Sequence, residues 1–356
     1  MYLPHELIIQ ILLRLPVKSL IRFKSVCKLW FSLISHDPHF ANSHFQLNAA
    51  THKRRILFIS TSAPITRSID LEAPLHDEPA STALSPNFIF SLSYLEIKGS
   101  CNGFIYLNYF GNMCLWNPST GIHVQIPLSP VNSSCFGYLD GFGYDHSTDD
   151  YLIVSMCYNP ALPHISSHLQ FFSFRANTWK KLEATYFPYM NASHNHRVGS
   201  LLGGVMHWLA FRRDIPMNVI VAFDLTERKL LEMSLPDDFN TGPSYCDLWV
   251  FGEFLSLWSM GKDIVEIWVM KEYKVRSSWT MTLVLPIHAI PTRYFSPICC
   301  TNRGDIIGTY GSTGLVKYDD KGQLLEHLSY GVAQYGSQVA VYVESLLSLP
   351  VDSLHS

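Results

Sequence analysis

From Gly103 onward the chain repeats itself in units of about fifty residues, and each unit is built from strands rather than helices. The units open at Gly103, Asp150, Gly204, Glu253 and Gly304, spaced 47, 54, 49 and 51 residues apart. GFIYLNYFGNMCLWNPSTGIHVQIPL and GVMHWLAFRRDIPMNVIVAFDLTERKLLEMSLP show the shared order. An apolar strand and a polar turn lead to a second strand that ends in an aromatic residue plus Asn or Asp. A tight turn and a third strand closing near a proline follow. Asn117-Pro118-Ser119-Thr120-Gly121, Asp224-Leu225-Thr226-Glu227 and Asp319-Asp320-Lys321-Gly322 supply the side chains that form such turns. The strands between are rich in Val, Ile, Phe, Tyr and Trp, which suit a pleated sheet buried on both faces. A strand period near fifty is the signature of propeller blades.

One period before Gly103 lies Arg54–Ser60 (RRILFIS), so a sixth blade is expected from that strand and the chain's end. Val339 to Leu349 (VAVYVESLLSL) would then pair with early sequence and close the ring, removing the edges an open array exposes. Between these, Thr61 to Asn87 carries Pro64, Pro74, Pro79 and Pro86 with little periodicity, and reads as a long irregular loop.

The first forty-odd residues have a different texture. Leu3, Leu7, Ile11 and Leu15 fall on one helical stripe, yet six of the seven positions from Leu7 to Leu13 are apolar. A helix apolar nearly all round must be covered on nearly all sides. A second run (Val17, Leu20, Ile21, Phe23, Val26) and a third (Leu29, Trp30, Phe31, Leu33, Ile34) cover only part of it. Three short helices cannot bury that surface alone, so the surplus implies a partner. Pro4 suits a first helical turn, Pro16 stops the first helix, and Asp37-Pro38 reads as a turn closing the unit. Lys18, Arg22, Lys24 and Lys28 give the later helices a basic face.

The order of these landmarks carries a resemblance. Leu3-Pro4-x-Glu6-Leu7, Ile11-Leu12-x-Arg14-Leu15-Pro16, Val26-Cys27-Lys28-x-Trp30 and Pro38-x-Phe40 together resemble an F-box. Further on, Gly99-Ser100-Cys101-Asn102-Gly103, Leu115 to Gly121 (LWNPSTG), Gly141 to Asp145 (GFGYD), Phe223-Asp224-Leu225 and Tyr342 to Leu346 (YVESL) resemble the F-box-associated domain of plant F-box proteins. Proteins labelled F-box/kelch-repeat and S-locus F-box are similar. A kelch blade wants Gly-Gly with a spaced Tyr and Trp, and only Gly203-Gly204 offers the pair, without that sequel.

The expected fold class is therefore multi-domain, α plus all-β: a three-helix F-box over 1–45, a linker with a first strand and irregular loop over 46–94, and a β-propeller-like domain of about six blades over 95–350. The resemblance implies docking onto a Skp-type adapter protein and, through it, cullin. The apolar anchors would be Leu3, Pro4, Leu7, Ile11, Leu12, Leu15, Pro16, Leu20, Val26 and Trp30, laid helix-in-groove. Leu3, Pro4 and Leu7 are expected at the interface, while Val26 and Trp30 stay open between the interface and the module's own core. Only Met1-Tyr2 precede the motif, so the first helix is expected to fray and to dock more weakly than usual. The propeller would recruit an unidentified protein substrate for ubiquitination. Such a chain is a non-catalytic adapter without cofactor.

Two other classes remain: a propeller-type glycan-binding or hydrolytic protein, and a ligase-independent interaction scaffold. For the first, Asp140, Asp145, Asp247 and Asp263 are carboxylates that a central channel would display, although turn and strand-end bonding explains them more simply. Cys300 beside Cys299 in an apolar run reads as core rather than nucleophile. His194 and His196 stand two apart without further ligands at metal spacing. Walker, dinucleotide, G-x-S-x-G and H-E-x-x-H patterns do not occur.

Charge and cysteines bound the setting. The net charge of −3 divides into +3 for residues 1–50 and −6 for the remainder, which argues against a nucleic-acid surface. Eight cysteines without a C-x-x-C pair read as reduced thiols of a cytoplasmic and/or nuclear protein. There is no basic n-region of a signal peptide and no membrane-length apolar run, so no membrane partner is expected. The sequons at Asn132 and Asn191 read as chance matches.

Overall fold

The computed structural model describes residues 4–49, 54–60, 66–76, 81–84, 86, 88, 95–109, 111–130, 136–158, 168–182, 187–191, 197–237, 239, 246–286, 295–310, 314–329 and 337–349. Helices come first: α1 (His5–Leu12), α2 (Val17–Phe23), α3 (Lys28–His36) and α4 (Pro38–Ala49). Sequence reading expects three helices closed by a turn at Asp37-Pro38. Instead that dipeptide starts a fourth. Asp37 Oδ1 accepts the amide N–H of His39 at 2.9 Å and of Phe40 at 3.0 Å, and Pro38 fills the first helical position, where no N–H is needed.

Six sheets follow, antiparallel except for one short parallel pair. β1 (Arg54–Ser60), β2 (Thr66–Asp70) and β3 (Ser81–Leu84) make most of blade 1. Blade 2 is β4 (Leu95–Cys101), β5 (Phe104–Tyr109), β6 (Asn112–Trp116) and β7 (His123–Ile126). Blade 3 is β8 (Phe136–Asp145), β9 (Asp150–Tyr158), β10 (His168–Ser173) and β11 (Thr178–Lys181). Two short strands come next: β12 (Tyr189–Asn191), which joins blade 4, and β13 (Arg197–Val198), which pairs parallel with β8. Blade 4 is completed by β14 (Ser200–Leu202), β15 (Val205–Arg212), β16 (Met217–Asp224) and β17 (Lys229–Met233). Blade 5 comprises β18 (Cys246–Phe251), β19 (Phe254–Met260), β20 (Ile264–Met270) and β21 (Trp279–Pro286). Blade 6 comprises β22 (Phe295–Cys300), β23 (Ile306–Tyr310), β24 (Gly314–Tyr318) and β25 (Leu324–Ser329). Finally β26 (Ser337–Val343) returns to pair with β1 from Arg54↔Val343 to Ser60↔Ser337. The inner strands β26, β4, β8, β14, β18 and β22 meet one another in turn, so the ring is closed by joining the two ends of the chain.

Alternation along the strands explains why this architecture is stable. In β1, Ile56 and Phe58 face the seam with blade 6, while Leu57 and Ile59 face the seam with blade 2. In β16, Val219, Val221 and Phe223 pack toward blade 3, and Ile220 and Ala222 toward blade 5. Each seam thus holds its own apolar cluster, built from two opposed period-2 faces. The seam between blades 2 and 3 differs. Its cluster continues through Leu346 and Leu347 into Leu12, Leu13, Val17, Leu20, Leu33, Ile34 and Phe40 of the helices.

The expected turns form as bonded loops. Asn117 Oδ1 accepts the N–H of Ser119 at 2.9 Å, Asp224 Oδ1 those of Thr226 and Glu227 at 2.8 and 2.9 Å, and Asp319 Oδ1 that of Lys321 at 2.9 Å. Gly203 and Gly204 take φ of 58° and 78°, the doubly left-handed two-residue hairpin between β14 and β15. The pair is therefore a tight turn.

The span read as an irregular loop contains β2 and β3. The strand TRSID is polar, yet Ser68 is buried. Its hydroxyl meets Tyr342 Oη at 2.6 Å and accepts from Arg55 Nε at 2.5 Å. Satisfied polar groups let a hydrophilic strand sit inside a blade, and hydrophobic patterning does not register it.

Candidate docking surfaces

The helical module buries one part of itself and leaves another bare. Leu12 and Leu20 are 1% and 0% exposed, so these two expected anchors belong to the module's core and not to its surface. Pro4, Leu7, Ile11, Pro16 and Val26 are exposed, with Leu7 and Ile11 each at 50% and Val26 at 58%. Leu15 and Trp30 are half-buried, and the Trp30 ring packs on Phe23 with centroids 5.4 Å apart. The open choice therefore divides: Val26 faces outward and Trp30 supports the inside. Leu3 lies outside the described residues.

Leu29, Phe31 and Leu47 are also exposed, although the sequence reading assigned the first two to covering α1. The helical spacing carried a signal for Phe31 but not for Leu29. Leu29, Trp30, Leu33 and Ile34 share a broad face, and Phe31 falls off it. The module holds six of the nineteen large hydrophobics found exposed among the described residues, in about one-eighth of the chain. A helix stripe with i, i+4 spacing left open at Leu7 and Ile11 is the geometry of a groove-binding face. Lys18, Arg22 and Lys28 are exposed on α2 and α3, so the bare surface has cationic neighbours.

His44 holds this module in shape, and sequence reasoning missed it. Buried on α4, it donates Nε2–H to the Leu15 carbonyl at 2.9 Å, tying the fourth helix to the end of the first. Burial pulls its pKa below the usual histidine value and favours the uncharged ring, an effect that hydrogen bond partly opposes.

Three of the four carboxylates read as possible channel groups have other partners. Asp140 on β8 pairs with Lys98 of β4 at 3.2 Å, and Glu96 meets the same ammonium at 2.9 Å. Lys98 is almost fully buried. Desolvation lowers its pKa, but the Asp140 and Glu96 charges outweigh it and the net direction is upward, so it stays protonated. Asp145 joins blades 3 and 4. Burial raises its pKa, yet hydroxyls of Thr148, Ser147 and Thr226 together hold it well below the usual carboxylate range, and Arg228 lies at 2.9 Å. Asp247 Oδ1 accepts the neighbouring Leu248 N–H at 2.8 Å, and Asp263 sits on the exposed turn between β19 and β20. Cys299 and Cys300 are buried in β22, and burial drives the Cys299 pKa upward, away from thiolate chemistry. No three His, Cys, Asp or Glu side chains gather as a metal site among the described residues. His194, His196 and Asn132 lie outside the described residues. No described helix is long and apolar enough to cross a membrane.

A helical module with an open apolar stripe, joined to a six-bladed propeller, is the build of an F-box receptor protein. Residues 2–41 match the F-box domain family, and residues 45–318 match the family described as the F-box associated beta propeller domain. The chain belongs to the F-box-associated β-propeller family. It is 29% identical to the F-box protein CPR1 of Arabidopsis thaliana, covering 89% of this chain and 82% of that one. It is 28% identical to the Arabidopsis F-box/kelch-repeat protein At3g23880 (80% and 79% covered) and 29% identical to the Arabidopsis F-box protein At5g49610 (86% and 86%).

Proposed function

We propose that this chain is the substrate-recognition subunit of a Skp–cullin–F-box ubiquitin ligase. The observation that carries the reading is the bare stripe of Leu7 and Ile11 on a helix whose other side is buried in the module's core. Covering those side chains with an adapter groove removes apolar area from water, the main driving force for such docking. Pro4, Val26, Leu29 and Phe31 are further exposed apolar groups available to the same partner. The propeller then holds a target protein close to a ubiquitin-charged enzyme carried elsewhere in the complex. Its contribution is effective concentration, and no catalytic group of its own is required. Eight cysteines without a C-x-x-C pair favour a reducing compartment, so the cytoplasm or nucleus is the proposed site of action.

The test is binding of the full chain to a purified Skp-type adapter, with Leu7→Asp/Ile11→Asp alongside. Binding by the natural chain and at least a hundredfold loss in the double variant, with the unfolding midpoint unchanged, is the expected outcome. An adapter that ignores the natural chain removes the ligase reading.

A further inference from the structure

Blade 4 ends in β17, which among the described residues is hydrogen-bonded as a strand only on its β16 side. Its free edge runs beside a groove of about 230 Å³. Leu231, Glu232 and Met233 form one wall, and Met270, Lys274 and Arg276 of blade 5 form the other. Met233 and Met270 are 7% and 2% exposed, which gives the groove an adaptable apolar floor. The rim above them is solvent-exposed.

The blade 5 wall is held in place. The Lys274 N–H points at Met270 Sδ, 3.2 Å away, and the neighbouring Tyr273 hydroxyl donates to Nε2 of buried His207 at 2.7 Å. Arg276 Nε–H donates to the Leu235 carbonyl at 3.2 Å, and Trp279 Nε1–H reaches the Ser234 carbonyl at 3.4 Å. Lys274 itself adopts φ +67°, a conformation kept here by these surroundings. The groove is thus preformed, which lowers the ordering cost of filling it.

Its charges are unevenly matched. Glu232 is engaged by Arg212 at 2.9 Å and by the Tyr189 hydroxyl at 2.8 Å, and Arg276 by Asp237 at 2.5 Å. Lys274 has no carboxylate within 4 Å among the described residues, and its ammonium lies 5.3 Å from the centre of the Tyr273 ring. Among the described residues, one rim therefore offers a positive charge without a carboxylate partner. The edge of β21 makes a contrast: Thr280 and Thr282 hydroxyls cap the Ser278 and Thr280 carbonyls at 3.3 and 3.1 Å. That edge is blunted, whereas β17 opens onto the groove.

We infer that the groove between blades 4 and 5 receives an extended segment of the target protein as an added strand on β17, seating an aliphatic side chain between Met233 and Met270 and an acidic one against Lys274. Main-chain pairing supplies sequence-tolerant affinity, and the methionine floor and the lysine supply selection. Segments rich in lysine are rejected by charge. This inference rests on the receptor reading for its biological meaning, but it can be tested without the adapter.

The experiment uses the full chain and two fluorescein-labelled hexapeptides, one alternating glutamate with leucine and valine, the other alternating lysine with the same residues. Fluorescence anisotropy should show the acidic peptide binding at least tenfold more tightly. Lys274→Glu, an exposed change, should reverse that preference while leaving the unfolding midpoint in place. Amide hydrogen exchange on the natural chain should slow at Leu230 to Met233 when the acidic peptide is added. Absence of binding, equal binding of the two peptides, or protection confined to other strands would overturn the inference. A chain that binds adapter but neither peptide loses this site alone. One that binds the acidic peptide at β17 but no adapter keeps the site and loses the ligase role.

Discussion

The two halves of this molecule treat apolar surface in opposite ways. In the propeller, strands such as β1 and β16 bury both faces, and neighbouring blades supply each other's cover until the ring closes at β26. In the helical module, Leu12, Leu13, Val17 and Leu20 are buried, yet Leu7 and Ile11 stand half in water one turn apart. A blade seam closed from both sides needs no further cover, and a helix face left open does. The two halves meet at the seam of blades 2 and 3, where Leu346 and Leu347 extend the blade cluster into the helices. Three distant sequence motifs converge beside that junction. Asn117 Nδ2–H donates to the Ser345 carbonyl at 3.1 Å, the Ser345 N–H donates to Ser119 Oγ at 3.1 Å, and Gly103 lies directly against Ser345.

The largest effect is expected where the propeller is most completely packed. Trp208 on β15 is fully buried in the seam of blades 3 and 4, and its Nε1–H donates to the Asp140 carbonyl at 2.8 Å. Trp208→Ala should cost roughly 3–5 kcal/mol by cavity formation, while the Asp140 carbonyl keeps the Gly199 N–H at 2.7 Å, read as a lower urea midpoint. A loss under ~1 kcal/mol would mean that the seams are loosely packed and would weaken the contrast drawn above.

His207 should make propeller stability depend on pH. Its Nδ1–H donates to the Ser200 carbonyl at 3.1 Å, and its Nε2 accepts from Tyr273, so the buried ring is a single neutral tautomer. Burial lowers its pKa to about 4, while the unfolded chain protonates near 6.5. The unfolded state therefore binds the proton first. Stability is fully present above about pH 6.5 and falls as pH drops toward 4, by roughly 3 kcal/mol for a shift of this size. Urea titrations at pH 7 and pH 4.5 on the natural chain and His207→Gln check this. The variant should be weaker at pH 7 but show a flatter decline, and parallel declines would count against the assignment.

How far was this legible in the sequence? The blades were, because both-faces-buried strands and Asx turns are local signals that the tertiary structure keeps. The pairing of a closing strand with β1 was too, since one period counted back from Gly103 lands on β1, but the strand is Ser337–Val343 and not Val339 to Leu349. β2 escaped because Ser68 is inside by virtue of Arg55 and Tyr342, partners that no local window contains. α4 escaped because its buried positions include a histidine, His44, whose partner is the Leu15 carbonyl 29 residues earlier. The division of the helical module into buried and exposed positions was half legible. Leu7, Ile11, Leu12 and Leu20 read alike as apolar helix positions, and only the packing of α2 and α3 decides which of them the module keeps for itself.

A smaller effect separates two left-handed glycines. At Gly103 (φ +87°) a Cβ would lie 2.3 Å from Ser345 Cβ and 2.8 Å from the Val343 carbonyl, whereas at Gly203 (φ +58°) nothing lies within 4 Å. Gly203→Ala should cost only the conformational strain, ~1 kcal/mol. Gly103→Ala adds displacement of the segment leading to Leu346 and Leu347, for roughly 2–4 kcal/mol in total. Limited proteolysis sharpens the test, because only the Gly103 variant should speed cleavage between the helices and the propeller. Equal behaviour of the two variants would show that the junction does not depend on this close approach.

The smallest effect on stability should accompany one of the larger effects on binding. Ile11→Ala removes a side chain that is half exposed and leaves the buried face of α1 in place, so the unfolding midpoint should move by no more than ~0.5 kcal/mol. If the stripe is an interface core, the same truncation should weaken adapter binding about tenfold or more, the range of a hot spot costing upwards of ~1.4 kcal/mol. Leu13→Ala, two residues further on but 6% exposed, should show the reverse pattern: a stability loss of about 2–5 kcal/mol, with affinity largely kept in whatever fraction remains folded. Should both variants lose stability and affinity together, the bare stripe would have to be read as part of the module's own fold, and the contrast between a finished propeller and an unfinished helical module would not stand.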